Sequence, residues 1–240
     1  MRRLAQHLSP EAKAALDLLA DQRTAPIEYG EAFYRLGQFL AKRLKGAGLG
    51  RKTLLVCASE DADFLARGIF ESISKPSASF GVPVAFACFW QARFDPAREQ
   101  SNKKRFEVAP IIKRYEEPID GDIDSLIVVK SIIASSCVVR HALLDTIGRK
   151  HPKKIFVVAP VISKDAPDNL RAEFPKKVAE LFQFVYFAED DSPDENGLVW
   201  PGIGGNVYDR LPLPKTGGAV VPKIVAERRR LREAKPLQVN

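Results

Sequence analysis

The stretch Ser125-Leu126-Ile127-Val128-Val129 runs straight into Lys130-Ser131-Ile132-Ile133-Ala134-Ser135-Ser136-Cys137-Val138, and then into a helical pattern carrying Val139, Leu143, Leu144 and Ile147. A strand, a turn of small residues and a helix start can together hold an anion. The first N–H groups of a helix lack intrahelical partners, and the helix dipole favours negative charge there. Ser135 and Ser136 add hydroxyl donors, so the candidate phosphate loop is Lys130, Ser131, Ala134, Ser135, Ser136, Cys137 and Val138. The same pattern also describes crossovers that hold no ligand. A second segment, from Asn196 to Arg210, sets Gly202, Gly204 and Gly205 behind Trp200-Pro201. Glycine lets a backbone approach a flat ligand closely, which makes Val199, Trp200, Gly202, Ile203, Gly204 and Asp209 candidates for reading a base. The alternative is a structural turn around a buried Trp200. A third group, Ser59, Glu60, Asp61 and Asp63, follows the first strand candidate. Its carboxylates could hold a cation or sugar hydroxyls, or could simply begin a solvated helix.

These residues need a scaffold, and the sequence supplies an α/β one. The first 50 residues read as two helices forming an N-terminal extension. Ser9-Pro10-Glu11 gives a cap, a first-turn proline and an early acid ahead of Ala12, Ala15, Leu16 and Leu19. A second helix starts near Pro26 and places Tyr29, Phe33, Leu36, Leu40 and Leu44 on one face. From residue 51 to 218, short apolar runs alternate with helical stretches, the signature of a parallel sheet covered on both faces. Strands are predicted at Thr53 to Ala58, Val82 to Phe89, Val108 to Ile112, Ser125 to Val129, Lys154 to Val161 and Phe184 to Phe187. Helices are predicted from about Asp61 to Ser72, Cys137 to Gly148 and Ala166 to Leu181, the last open to interruption at Pro175. Residues 190–215, rich in proline and glycine, read as an ordered hood over one end of the sheet. Gln91 to Phe106 reads as a long polar loop carrying Arg93, Arg98, Lys103, Lys104 and Arg105.

Composition narrows the function classes. No apolar run approaches the roughly 20 residues that span a bilayer, and Met1-Arg2-Arg3 does not lead into a signal-peptide core, so a soluble cytoplasmic protein with no membrane association is expected. Three cysteines, Cys57, Cys88 and Cys137, show neither disulfide nor metal spacing and read as small thiols of a reducing compartment. His7, His141 and His151 share no metal spacing, and no metal site is expected. The net charge of +7 is uneven, since residues 219–240 form a basic tail with Lys223, Arg228, Arg229, Arg230, Arg232 and Lys235 against Glu227 and Glu233. That tail is where a nucleic acid or an acidic protein partner would dock, although a basic helical end is also an ordinary solvated face.

Taken in order, the motifs resemble uracil phosphoribosyltransferase, a type I phosphoribosyltransferase, over roughly residues 50 to 215. In that family a strand ends in Asp-Pro, two apolar residues and Ala-Thr-Gly-Gly-Ser, and a later segment reads Asn-Glu-x-Gly-Tyr-Ile-Val-Pro-Gly-Leu-Gly-Asp before Asp-Arg. Glu195-Asn196-Gly197-Leu198-Val199-Trp200-Pro201-Gly202-Ile203-Gly204 and Asp209-Arg210 follow the later pattern, and Pro110 to Pro118 resembles the approach to the sugar-phosphate strand. The resemblance implies a type I phosphoribosyltransferase-like parallel sheet flanked by helices, with a C-terminal hood. It also implies glycosyltransferase chemistry on a phosphoribosyl diphosphate donor and a uracil-like base, with Mg²⁺ as cofactor if the enzyme is active. Lys130 stands where the family has the acid that binds the ribose hydroxyls, and an ammonium cannot accept a hydrogen bond. Ser136 and Cys137 stand for the paired glycines, Gly205 for the acid of the hood, and Ser59, Glu60 and Asp61 for a diphosphate loop that would carry an arginine.

Three functions follow as expectations. The first is a repurposed fold that binds a nucleotide, a phosphate or a protein partner without the family reaction. The second is an active transferase or nucleoside-cleaving enzyme of altered substrate, with Lys130 neutralising a phosphate and Glu60 or Asp61 holding Mg²⁺ or the ribose diol. The third is a nucleic-acid-associated subunit acting through the tail and the basic loop. A homo-oligomer or a complex subunit is expected in each case.

Overall fold

The computed structural model describes residues 1–74, 83–91, 109–134, 137–194, 198–213 and 220–234, with the side chains of 137 and 138 outside the description. In chain order the elements are β1 (Arg3–Leu4), α1 (Pro10–Ala20), α2 (Pro26–Gly46), β2 (Thr53–Ala58), a tight 3-10 turn at Ser59–Asp61 and a π-helical turn at Ala62–Ala66. They continue with α3 (Arg67–Ser74), β3 (Val84–Gln91), β4 (Ile111–Glu116), β5 (Ser125–Val129), β6 (Ile132–Ile133) and α4 (Cys137–Lys150). The rest are β7 (Lys154–Val158), β8 (Val161–Ser163), α5 (Ala166–Ala172), α6 (Lys176–Ala179), β9 (Phe182–Val185), β10 (Ala188–Asp190), α7 (Val207–Arg210) and α8 (Lys223–Glu233).

Six strands form the main sheet in the order β4-β3-β2-β5-β7-β9, all parallel except the edge strand β4. Because side chains alternate along a strand, each central strand serves two cores. Leu55, Cys57, Ile127, Val129, Phe156 and Val158 pack with α2 and α3 on one face. Leu54, Val56, Leu126, Val128, Ile155 and Val157 pack with α4 and α5 on the other. The apolar stripes of α1 and α2 that the sequence marks, Ala12 to Leu19 and Tyr29 to Leu44, are buried in the first of these cores, so the N-terminal helices and the sheet share one interior. Ser9 caps α1 as its sequence suggests, its Oγ accepting from the Ala12 N–H at 3.2 Å. The expected α/β class, a parallel sheet flanked by helices, is the one observed.

Several element boundaries differ from the sequence reading, for physical reasons. Lys154 to Val161 is two strands, because Ala159-Pro160 interrupts the ladder and proline has no N–H to donate. Phe184 to Phe187 resolves into β9 and β10 around Tyr186-Phe187, and Lys130-Ser131 separates β5 from β6 in the same manner. Three neighbouring strands thus each break for two residues and resume in a second, small sheet of order β1-β10-β8-β6 above the carboxyl end of the first. The strand expected at Val108 to Ile112 is instead Ile111–Glu116, an edge strand whose exposed Ile112, Lys113 and Arg114 obscure its apolar pattern. The helix expected from Ala166 to Leu181 does break at Pro175.

The C-terminal helix α8 is docked on the body of the protein. Ile224 and Val225 enter the α2/α3 core, and the backbone N–H groups of Lys223 and Ile224 both donate to the Asp63 carboxylate at 2.8 Å. Arg228 forms a two-pronged pair with Glu117, which is buried and also accepts from the Phe86 N–H and the Tyr115 hydroxyl. Removing the carboxylate would leave three donors without their acceptor. Glu117→Ala is expected to cost about 2–3 kcal/mol, less than a fully buried pair because Arg228 is partly exposed. Urea denaturation should show the loss as a lower midpoint with an unchanged slope.

Candidate functional site

The helix after β2 lies on one face of the sheet and the helix after β5 on the other, as α3 and α4 pack into different cores. Since β2 and β5 are neighbours, the crevice between their carboxyl ends is the place where an open α/β sheet receives ligands. The turn Ser59–Asp61 leaves β2 and Lys130-Ser131 leaves β5, so two of the three sequence candidates meet here.

They meet through a buried ion cluster. Lys130 Nζ donates to Glu60 Oε1 at 2.9 Å and to Asp61 Oδ2 at 2.8 Å. The Lys130 and Asp61 side chains are 7% and 0% exposed, so both charges have lost their water. The other Asp61 oxygen accepts from the Ser131 N–H at 3.0 Å, a donor left off the ladder by the break between β5 and β6. Lys130 keeps its own backbone bond, N–H to the Val158 carbonyl at 2.9 Å, which holds it in line with β7. Burial alone would push the Lys130 ammonium down, but Asp61 and Glu60 together outweigh it and hold it above the ordinary lysine range. Burial pushes the Asp61 carboxyl up against the pull of Lys130.

The remaining phosphate-loop candidates divide. Ser131 is buried, and its Oγ has no hydrogen-bond partner. Ala134 sits at the end of the loop, its carbonyl accepting from Ser163 Oγ at 3.4 Å. Ser135 and Ser136 lie outside the described residues, and of Cys137 and Val138 only the backbone at the start of α4 is described. Cys57 and Cys88 face each other in register on β2 and β3 as buried free thiols, and burial pushes the Cys57 thiol well above its ordinary value. Among the described residues no group of three His, Cys, Asp or Glu side chains could hold a metal. The two carboxylates at the crevice, Glu60 and Asp61, both face the Lys130 ammonium, and this donor set does not fit Mg²⁺.

The hood is clamped from below. Gly202 and Gly204 have φ of +53° and +71°, and a Cβ at either would collide with backbone, at Val199 O and Leu19 O respectively. Asp190, buried at the end of β10, accepts from the Gly202 N–H at 2.9 Å and pairs with Arg2, which also donates to the Gly202 carbonyl. The Ile203 carbonyl accepts from the Tyr29 hydroxyl and from Arg210, both at 2.9 Å. Arg210 lies 4.0 Å from the Tyr29 ring centroid and reaches the carbonyls of Leu19 and Asp21 at the end of α1. Val199 and Ile203 are buried, whereas Trp200, next to the cis peptide Trp200-Pro201, is 48% exposed, and Asp209 is exposed on α7. Trp200 is therefore not the buried centre of a turn.

Sequence reading missed the clamps, namely Arg2, Tyr29, Asp190 and Arg210. Tyr29 carried a signal only as an apolar helix position, and Arg2 and Asp190 are 188 residues apart. The Lys130–Asp61 partnership had one legible cue, a lysine and an acidic pair at the ends of adjacent strands.

Compared by sequence, the chain matches no protein-family model and no curated protein. Compared by structure, it resembles the AQ2163 protein of Aquifex aeolicus at 14% identity with a TM-score of 0.65, over 88% of this chain and 98% of that one. It also matches, more loosely, the adenine phosphoribosyltransferase of Trypanosoma brucei solved with AMP, pyrophosphate and ribose-5-phosphate, at 14% identity and a TM-score of 0.47 over 95% of both chains. A hypothetical protein of Neisseria gonorrhoeae with bound ppGpp matches at 14% identity and a TM-score of 0.40, over 68% of this chain and 82% of that one. At such identities the likeness is one of fold. Among the described residues no helix is long and apolar enough to cross a membrane.

The cluster has a clear stability signature. Lys130→Met leaves Asp61 buried beside no cation and is expected to cost about 3–5 kcal/mol at pH 8. Without the ammonium the Asp61 carboxyl rises further above its unfolded value, so the folded chain binds a proton more readily than the unfolded one. Stability of the variant then falls as pH rises through that window and recovers as pH drops. Urea unfolding at pH 5 and pH 8 should show a smaller deficit at pH 5; equal deficits would remove Asp61 as the cause.

Proposed function

We propose that the chain is a phosphoribosyltransferase-fold protein that binds a nucleotide, through its phosphate, at the end of β5 and does not carry out phosphoribosyl transfer. The observation that carries this reading is the Lys130 ammonium held by both Glu60 and Asp61 in the crevice between β2 and β5. Transfer from a phosphoribosyl diphosphate needs acceptors for the ribose hydroxyls and positive charge for the departing diphosphate. Lys130 offers only donors, and two of its hydrogens already serve the carboxylates. Glu60 and Asp61 would set negative charge against a diphosphate, and they offer no free chelating pair for the Mg²⁺ that accompanies it.

Phosphate binding is supported by different groups. The Ser131 hydroxyl is buried without a partner in the turn after β5, and the same connection leads into α4, a helix of 14 residues whose first N–H groups favour an anion. The hood next to Ile132 supplies a half-exposed Trp200 as a surface for a base. A 5′-mononucleotide such as uridine monophosphate is expected to raise the melting temperature at millimolar concentration. Incubation with phosphoribosyl diphosphate, Mg²⁺ and uracil should yield no nucleotide by chromatography. Uridine monophosphate formed in proportion to enzyme would sink the proposal.

A further inference from the structure

The basic residues of the C-terminal segment are not used by the crevice, and the fold sorts them into two groups. Arg228 is consumed by Glu117, and Glu227 is consumed by Arg67 of α3, which also holds Glu71. These contacts fix the orientation of α8. Of the rest, Arg229 stacks over the Tyr115 ring of β4 at 5.4 Å, and Arg230 and Arg232 are exposed in the last turns of α8.

The edge strand β4 adds to the same surface. Arg114 and Glu116 turn toward α4, where they pair with Asp145 and Arg149. Lys113 turns the other way with Tyr115, its Nζ 5.0 Å from the centroid of the Trp90 ring. Trp90 Nε1 donates to the Val220 carbonyl, which ties β3 to the segment entering α8. Lys113, Arg229 and Arg232 therefore share the face made by β4 and α8, whereas Arg230 lies about 160° around the helix from Arg232. Among the described residues none of the three pairs with a carboxylate, and Glu233 is the one acid of α8 without an ion pair.

We propose that this face, Lys113 with Arg229 and Arg232, binds the phosphodiester backbone of a nucleic acid. Two of the three cations are arginines, whose planar donors match phosphate oxygens, and Arg229 is held in place by its ring contact. The aromatic rings beneath, Trp90 and Tyr115, are buried, so they orient cations rather than stack bases. The expected binding is therefore electrostatic and weakly selective for sequence. An acidic protein would offer carboxylates at irregular spacing, whereas a phosphodiester chain offers regularly spaced anions to a helix and a strand side by side. The site is separate from the crevice at β5 and does not depend on the function proposed for it.

The full-length chain should bind a fluorescent 20-nucleotide single-stranded RNA in anisotropy titrations at low salt, and affinity should fall as salt rises. The double variant Arg229→Ala/Arg232→Ala keeps the Arg228–Glu117 pair and should stay folded, with a melting temperature close to that of the wild type. It is expected to bind at least about tenfold more weakly, with a salt slope smaller by about 1.4, since each phosphate contact contributes roughly 0.7 to that slope on single strands. Absence of binding by the wild type, unchanged affinity in the folded double variant, or equal binding of a polyglutamate of matched length would each overturn the proposal. Retained binding in a folded Lys113→Ala variant would take β4 out of the surface and contradict it as stated.

Discussion

A lysine that leaves water must be compensated where it lands, and Lys130 lands where the main sheet ends. Its position is set by β5, whose ladder with β2 and β7 leaves no freedom along the strand. An unpaired ammonium there would cost several kcal/mol, so the turn after β2 has to deliver carboxylates. The tight turn Ser59–Asp61 and the π-helical turn behind it do so, and Asp61 then also satisfies the N–H of Ser131 at the strand break. Asp63, two residues on, holds the start of α8. One buried charge therefore links the chain breaks, the crevice and the C-terminal helix.

The same economy governs the other end of the crevice. The hood has few side chains to bury, and its glycines leave peptide groups that need partners. Arg2, Tyr29 and Arg210 supply donors to its carbonyls, and Asp190 accepts from its N–H. Burial pushes the Tyr29 hydroxyl well up, against the opposing pull of Arg210, so it remains a donor across the physiological range. Tyr29 belongs to α2, Arg2 precedes β1 and Asp190 ends β10, while Arg210 reaches from α7 to the Leu19 carbonyl of α1, so the hood is tied to the N-terminal elements and to the small sheet. The surface proposed for a base around Trp200 would rest on a hood held in this way.

Much of the scaffold was legible because it rests on local periodicity. Leu36, Leu40 and Leu44 had to face a core, and Val128 and Val129 had to face two. The strand breaks were less legible, because Ala159-Pro160 and Tyr186-Phe187 are as apolar as the strands they separate. The edge strand β4 was shifted in the reading since its outward residues, Lys113 and Arg114, interrupt the apolar run. At the site, Lys130, Glu60 and Asp61 were each visible as unusual residues, but their joint burial is a consequence of strand order, which no local pattern encodes. The likeness to AQ2163 is one of fold and adds no chemistry.

The central claim is that Lys130 and Asp61 form one interdependent buried unit. A double-mutant cycle with Lys130→Met, Asp61→Asn and the pair together, followed by urea unfolding at pH 7, isolates their coupling. The expected coupling is about 2–3 kcal/mol, with the double variant more stable than Lys130→Met alone. A coupling near zero would contradict the account.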